Sequence, residues 1–316
     1  VNGTCGLHLA VKVLGLKSGD EVVTTPFSFV ASSNCLLYEK VKPVFVDIED
    51  QTYHMDPQQI ESKITKQTKA ILVVHIFGQT ADMDPILNLA KKNNLKIIED
   101  ACEGLGATYY GKPAGAFGNI GVFAFYPNKQ MTTGEGGMII SNNKSYIELC
   151  KSLRNQGRTD DGQWMKHEYL GYNYRLSEIS AALGISQLKK IPWFIKQRQE
   201  IASWYNEYLA DVKDVVLPAT GKQRNHTWFV YVIRVKNGKR DLLMSYLNQS
   251  GIQNRPYFPV IHLQPLYRKL FKYRPGAYPV AERVASETLA LPIYVGLEEK
   301  QVKYIVETIK KFMHEK

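Results

Sequence analysis

Phe123-Ala124-Phe125-Tyr126-Pro127-Asn128-Lys129-Gln130-Met131-Thr132-Thr133-Gly134-Glu135-Gly136-Gly137 is the stretch on which the reading of this sequence turns. The apolar run from Gly121 to Phe125 reads as a buried strand, closed by Tyr126-Pro127. A lysine then enters a loop holding three glycines and two threonines, and a second apolar run, Gly137 to Ile140, follows. Glycines let a backbone approach a ligand closely. A lysine held among apolar and aromatic groups can lose its proton readily and form a Schiff base with a carbonyl. Most lysines are simply solvated, so Lys129 takes its meaning from its surroundings.

Those surroundings repeat upstream. Leu7 to Leu14 reads as a helix ended by Gly19-Asp20, Glu21–Thr24 as a short strand and Val30 to Tyr38 as a helix. Strands are expected at Pro43–Asp47, Ala70–Val74 and Lys96–Asp100, with a helix from Pro85 to Lys92 that has proline in its first turn. Apolar strands alternating with helices predict an α/β fold whose largely parallel sheet is covered on both faces. Chemistry on such a sheet lies in the loops beyond the strand ends. That puts Asp100 and the loop after Phe125 in the candidate site.

Downstream the texture changes. Leu176–Lys190 and Gln197–Tyr208 read as long connecting helices. A strand from Trp228 to Val235, a helix from Asp241 to Gln249 and a terminal helix from Gln301 to Phe312 follow. The expected division is a large domain over 1–205 and a smaller C-terminal α+β domain over 206–316. No internal repeat or low-complexity linker interrupts it.

Composition narrows the function classes. The 316 residues are 44% hydrophobic and 22% charged, as in an ordinary globular protein. Forty Lys+Arg against thirty Asp+Glu leave a net charge of +10. The cations are scattered, with no basic stripe interleaved with aromatics, which speaks against nucleic acid. A mild attraction for an anionic small molecule fits equally well. The four cysteines form no CxxC pair and have no histidine pairs at zinc-ligand spacing, so no metal site is expected and a reducing cytoplasm suits the chain. The longest apolar stretch, Ala70 to Phe77, is too short to cross a bilayer.

Two further segments carry candidate chemistry. Asn2-Gly3-Thr4 precedes a helix. Such a turn offers backbone N–H groups and a hydroxyl to an anion, or Thr4 serves as a plain N-cap. Asp100 ends an apolar strand and needs a cationic partner there. That partner is either structural or functional.

In these residues the chain resembles the DegT/StrS-type sugar aminotransferases, pyridoxal 5′-phosphate (PLP) enzymes of fold type I. The likeness runs from Asn2 to the C-terminal helix. It rests on Asn2-Gly3-Thr4, Thr25-Pro26-Phe27-Ser28-Phe29-Val30-Ala31, and Val74-His75-Ile76-Phe77-Gly78-Gln79 with Asp82-Met83. Glu99-Asp100-Ala101, the Lys129 block and Leu170-Gly171-Tyr172-Asn173-Tyr174-Arg175-Leu176 complete it. The resemblance implies that Lys129 carries PLP as a Schiff base and moves the proton, while Asp100 pairs with the pyridinium nitrogen. It implies Gly3 and Thr4 at the phosphate, Phe29 on the ring and Glu103 near its hydroxyl edge. Asn173 would reach the phosphate site of a neighbouring subunit, which makes a homodimer a condition of the site. Arg175 would meet a carboxylate or a sugar-nucleotide phosphate, or else form a structural ion pair. Tyr257 and His262, in the segments Asn254–Pro259 and His262–Pro265, would meet the sugar or else pack the loop.

The implied reaction moves an amino group from glutamate or glutamine to a nucleotide-linked keto sugar, as in polysaccharide biosynthesis. A PLP-dependent sugar dehydratase on the same fold has histidine where this chain has Lys129, and a non-catalytic regulatory member is a further alternative. A dinucleotide-binding dehydrogenase falls for want of a GxGxxG turn. The chain departs from the family at Ala124, where many members have a phosphate-binding serine, a loss that Ser28 or Thr133 would make good. It departs also at Tyr126, which is histidine in some members. Family members normally begin several dozen residues before the Asn-Gly-Thr turn, so a segment ahead of Val1 is expected. Loop shapes at 160–170 and 254–266 are expected to set the choice of sugar.

Overall fold

The computed structural model describes residues 1–159 and 166–315. Its elements, in order, are α1 (Gly3–Val13), β1 (Glu21–Thr24), α2 (Ala31–Tyr38), β2 (Lys42–Phe45), α3 (Pro57–Ile60), β3 (Thr68–Val74), α4 (Met83–Lys92), β4 (Lys96–Asp100), β5 (Thr108–Tyr109), β6 (Lys112–Pro113), β7 (Ile120–Ala124), β8 (Gly137–Ile140) and α5 (Lys144–Arg154). Then come α6 (Glu178–Leu188), α7 (Ile191–Tyr208), β9 (Val215–Val216), β10 (Arg224–Asn225), β11 (Tyr231–Val235), α8 (Arg240–Gln249), α9 (Pro265–Phe271), α10 (Pro279–Glu287), β12 (Thr288–Leu291) and α11 (Glu299–Glu315).

The main sheet has the order β2-β1-β3-β4-β7-β8. Its first five strands run parallel and β8 pairs antiparallel with β7. Alternation along β3 shows why both faces are covered. Ala70, Leu72 and Val74 pack with α1 and α2 on one face, while Ile71 and Val73 join Met83 and Ile86 of α4 on the other. The strand order reverses between β1 and β3, and the parallel strands β1, β3, β4 and β7 all point their C-terminal ends at the same edge.

The smaller unit is the antiparallel sheet β12-β11-β9 packed against α7, α8 and α11. Its core takes in Ile201, Ala202 and Tyr205, so α7 contributes its C-terminal turns to this unit. α7 also begins at Ile191, earlier than the expected Gln197, because Pro192 sits in its first turn where no N–H is needed. The strand expected from Trp228 begins only at Tyr231, because Trp228 takes a left-handed φ of 53° that ends pairing. All four cysteines are free. Among the described residues no helix is long and apolar enough to cross a membrane, and no group of three or more His, Cys, Asp or Glu is placed to hold a metal.

Candidate active site

A cavity of about 480 Å³ opens at the C-terminal edge of the parallel strands. Val74 closes β3, Asp100 closes β4 and Ala124 closes β7, and all three line it. The N-terminus of α1 enters from one side with Asn2, Gly3 and Thr4, and Lys129 enters from the loop after β7. Three segments far apart in sequence thus meet in one space.

The α1 terminus is built to face an anion. Asn2 is the N-cap, its Oδ1 accepting from Cys5 N at 2.9 Å. Capping therefore falls to Asn2 rather than to Thr4. The amides of Gly3 and Thr4 lie in the first turn, where no intrahelical acceptor exists, and the helix dipole adds positive potential. Gly3 is required by packing. A Cβ there would lie 2.7 Å from Ala124 Cβ and 3.0 Å from Cys102 Sγ.

Asp100 is buried, and no cation pairs with it among the described residues. Its Oδ1 accepts from Cys102 N at 3.1 Å and its Oδ2 from Ser32 Oγ at 2.7 Å. Ser32 has one hydroxyl proton, and it is directed at the Asp100 carboxyl. Ser28 Oγ, 2.7 Å away, then donates to Ser32, giving a relay Ser28, Ser32, Asp100 along one face of α2 and the turn before it. Ser32 was not among the expected residues. Its spacing of four from Ser28, beside an apolar helix, is the signal that points to it.

Lys129 is mostly buried, with its side chain 14% exposed. Its Nζ lies 3.4 Å from Glu103 Oε1 and 4.3 Å from the centre of the Phe229 ring. Burial pushes the Glu103 carboxyl above its usual range, while Lys129 and the Phe77 amide, 3.0 Å from Oε2, pull it back in part. Phe229 comes from the second half of the chain, and no local pattern announces it.

Beneath the site lies a rigid support. Glu99, fully buried, accepts from His75 Nε2 at 2.8 Å, from Gly115 N and Phe117 N at 2.7 Å each, and from Gly118 N. His75 Nδ1 accepts from Ala81 N, which assigns the ring proton to Nε2. Burial alone would raise the Glu99 carboxyl, but His75 and the amides outweigh it and hold it below its ordinary value. His75 N also donates to Asp100 O at 3.0 Å. His226 is a packing residue, buried and stacked 3.8 Å from Trp228, with burial lowering its imidazole to about 3.

The remaining candidates divide. Phe29 lines the mouth and is 60% exposed; Tyr126 and Tyr257 line it as well. Ala124 presents no hydroxyl. Of the two residues expected to replace it, Ser28 lines the cavity, whereas Thr133 Oγ1 donates to Glu135 O and is turned away. The expectation that His262 meets a sugar is corrected. His262 is fully buried, its Nε2 lies 2.9 Å from Glu282 Oε1, and it packs edge-on to Tyr278. Its work there is to hold the loop before α9.

Asn173 and Arg175 lie off the cavity of their own chain. Tyr172 and Tyr174 stack on each other and turn inward against His8 of α1, so Asn173 and Arg175 point outward. Arg175 Nη1 donates to Asn155 Oδ1 at 3.0 Å. Of the loop expected at 160–170, residues 160–165 lie outside the described residues.

The donor set fits PLP. The cavity offers a buried amine, a buried carboxylate without a cation and a helix N-terminus with free amides. The cofactor's aldehyde, ring nitrogen and phosphate call for these three groups, and Phe29 supplies an aromatic face at the mouth.

A model of the DegT/DnrJ/EryC1/StrS aminotransferase family matches residues 1–310. The chain is 39% identical to GDP-perosamine synthase of Escherichia coli O157:H7 over 316 residues, covering all of this chain and 85% of that one. It is also 39% identical to a pleiotropic regulatory protein of Geobacillus stearothermophilus, over 98% of this chain and 83% of that one. Among solved structures, S. venezuelae DesV in complex with a ketimine intermediate superposes with a TM-score of 0.93 at 32% identity. The match spans 99% of this chain and 83% of that one.

Proposed function

The chain belongs to the DegT/DnrJ/EryC1/StrS aminotransferase family, and from that premise we propose that it transfers an amino group from glutamate or glutamine to a keto sugar carried on a nucleotide diphosphate. The observation that carries this reading is the convergence of Lys129, Asp100 and the α1 N-terminus on one cavity.

Bound PLP supplies an electrophilic carbonyl and an electron-accepting ring. The chain's residues supply the rest. Gly3 and Thr4 N–H would hold the phosphate. Asp100, oriented by Ser32 and the Cys102 amide, would face the ring nitrogen and favour its protonated form. Phe29 would cover the ring and Glu103 would stand near its hydroxyl, both lining the same cavity. Lys129 Nζ would hold the cofactor in the resting enzyme and, when free, would serve as the acid–base group of the site. Tyr257 closes the mouth over the sugar, and Arg175 receives an anionic group of the substrate from across a subunit boundary.

A homodimer is part of this reading. α6 has no buried residue although it is rich in apolar side chains; Ile179 is 85% exposed and Ile185 62%. So large an apolar face calls for a second copy. In that copy Asn173 and Arg175, which point away from their own cavity, reach the partner's.

The test is optical. Protein reconstituted with PLP shows the visible absorbance of the lysine-bound cofactor, and glutamate bleaches it. Lys129→Ala abolishes both. The Geobacillus relative's name supports one second reading, a regulatory protein that keeps the fold. Binding of PLP without any response to glutamate or glutamine decides for it.

A further inference from the structure

The fold gathers lysines that the sequence scatters. The connections that enter the parallel strands, taken with the first residues of each strand, are 14–21 at β1, 39–42 at β2, 61–69 at β3 and 91–96 at β4. Because these strands run parallel, all four connections lie at the N-terminal edge of the sheet. Together they hold nine lysines against four carboxylates, half of the net charge of +10, with no arginine and no aromatic residue. At about 4.8 Å between neighbouring strands, the four strand starts span only about 14 Å.

Local pairing does not neutralise this edge. All nine lysines are exposed. Lys42 pairs with Glu21 at 2.9 Å, Lys92 pairs with Glu61 at 2.6 Å, and Lys69 Nζ donates to Lys66 O. Glu39 is taken up by His8 and Lys12, and Asp20 accepts from the backbone amide of Lys17. Lys17, Lys40, Lys63, Lys66, Lys91 and Lys96 have no side-chain partner among the described residues. Helix dipoles account for only part of the pattern. Lys91 and Lys92 end α4, where cations are favoured, but Lys17, Lys66, Lys69 and Lys96 belong to no helix. Between the β3 and β4 connections lies a hollow of about 590 Å³, whose lining includes Lys66, Lys69, Asn93 and Asn94 and no carboxylate.

We propose that this edge docks on a membrane surface rich in anionic phospholipid, with a headgroup phosphate in the hollow. The chemistry selects that partner. Lysines are compact point charges on flexible stems, suited to a diffuse field of phosphates. The four connections lack arginine forks, which grip carboxylates in pairs, and aromatic faces, on which bases stack. Every leucine, isoleucine and valine in them is buried or half-buried, so attachment is electrostatic and inserts nothing into the bilayer. β3 has seven residues, which sets this edge about 20 Å from the cavity at the other end of the strands. The docked protein keeps that cavity open to water, and the cavity's carboxylates lie beyond a screening length from the lipid.

The test is cosedimentation of the PLP-loaded protein with vesicles. The protein binds vesicles of equal parts phosphatidylglycerol and phosphatidylcholine, stays in the supernatant with phosphatidylcholine alone, and is released by salt. Each lysine near such a surface contributes about fivefold to binding, so Lys66→Gln/Lys96→Gln weakens it by about 10- to 30-fold. Lys66→Arg/Lys96→Arg keeps the charge and the binding. Lys236→Gln/Lys311→Gln removes the same charge from exposed positions on the smaller unit and leaves binding within about twofold. The proposal is overturned if the unmodified protein ignores anionic vesicles at low salt, if both glutamine variants lose affinity equally, or if the arginine variant binds as weakly as its glutamine counterpart. It is overturned too if duplex DNA of arbitrary sequence binds more tightly than the vesicles at the same salt and through the same two lysines, because the edge then serves a nucleic acid.

Discussion

Glu99→Gln changes one atom of the support beneath Asp100 and tests how that support works. Four donors converge on the carboxylate: His75 Nε2, and the amides of Gly115, Phe117 and Gly118. Glutamine offers a single oxygen, so two of the four must face its NH2 group. A hydrogen bond to a charged group contributes about 1.5–3 kcal/mol, and a buried donor left without an acceptor costs about 1–3 kcal/mol. Two such losses predict a destabilisation of about 3 kcal/mol, within a range of about 2–6 kcal/mol. At about 2 °C per kcal/mol for a chain of this size, the melting temperature falls by about 6 °C. The assay is urea unfolding of cofactor-free protein at neutral pH, with a melt for comparison. The gap between wild type and variant also depends on pH. The Glu99 carboxyl is held below its ordinary value of 4.5 in the folded protein. Its contribution is therefore complete above 4.5 and is lost as pH falls through the lower, folded value. The gap stays constant from pH 7 to about 5 and narrows in more acid solution. A loss under 1 kcal/mol, or a gap that widens on acidification, would refute the reasoning.

Other perturbations read the site directly. Ser32→Ala removes the proton donor to Asp100 Oδ2 and weakens PLP binding about tenfold, measured by fluorescence titration. Gly3→Ala forces a Cβ to within 2.7 Å of Ala124 Cβ; overpacking of about 1–3 kcal/mol exceeds the helix-propensity gain of about 0.5–1 kcal/mol, and Ala124→Gly restores part of the loss. Cys102, whose thiol burial pushes well above its usual value, resists iodoacetamide at pH 8 in the native protein and reacts once unfolded in urea. His262→Ala leaves Glu282 without its imidazole partner and lowers stability by about 1–3 kcal/mol. Its effect is read in the unfolding midpoint, and a change in sugar-nucleotide KM with stability intact would restore His262 to the site.

Sequence alone determined the elements and the chemical kinds. Apolar runs bounded by proline and glycine marked the strands, and strand ends marked where Asp100 and Lys129 emerge, because backbone periodicity is a local property. The Asn2-Gly3-Thr4 turn was legible for the same reason, although which residue caps the helix depended on the exact start of α1. Where elements ended under tertiary influence, local reading failed. The left-handed Trp228 shortened β11, and a proline tolerated in the first turn of α7 hid six helical residues.

Tertiary structure decided which residues share a space. Ser32 reaches Asp100 across 68 positions, and Phe229 lies against Lys129 across a hundred. His262 reads in sequence like a substrate contact, yet the fold buries it against Glu282. Tyr172 and Tyr174 turn inward because α1 offers them His8, and only that choice sends Asn173 and Arg175 outward. A side chain's chemistry is written in its residue type, but its partner is chosen by packing between distant segments, where the same histidine or serine can be buried as support or turned toward a ligand.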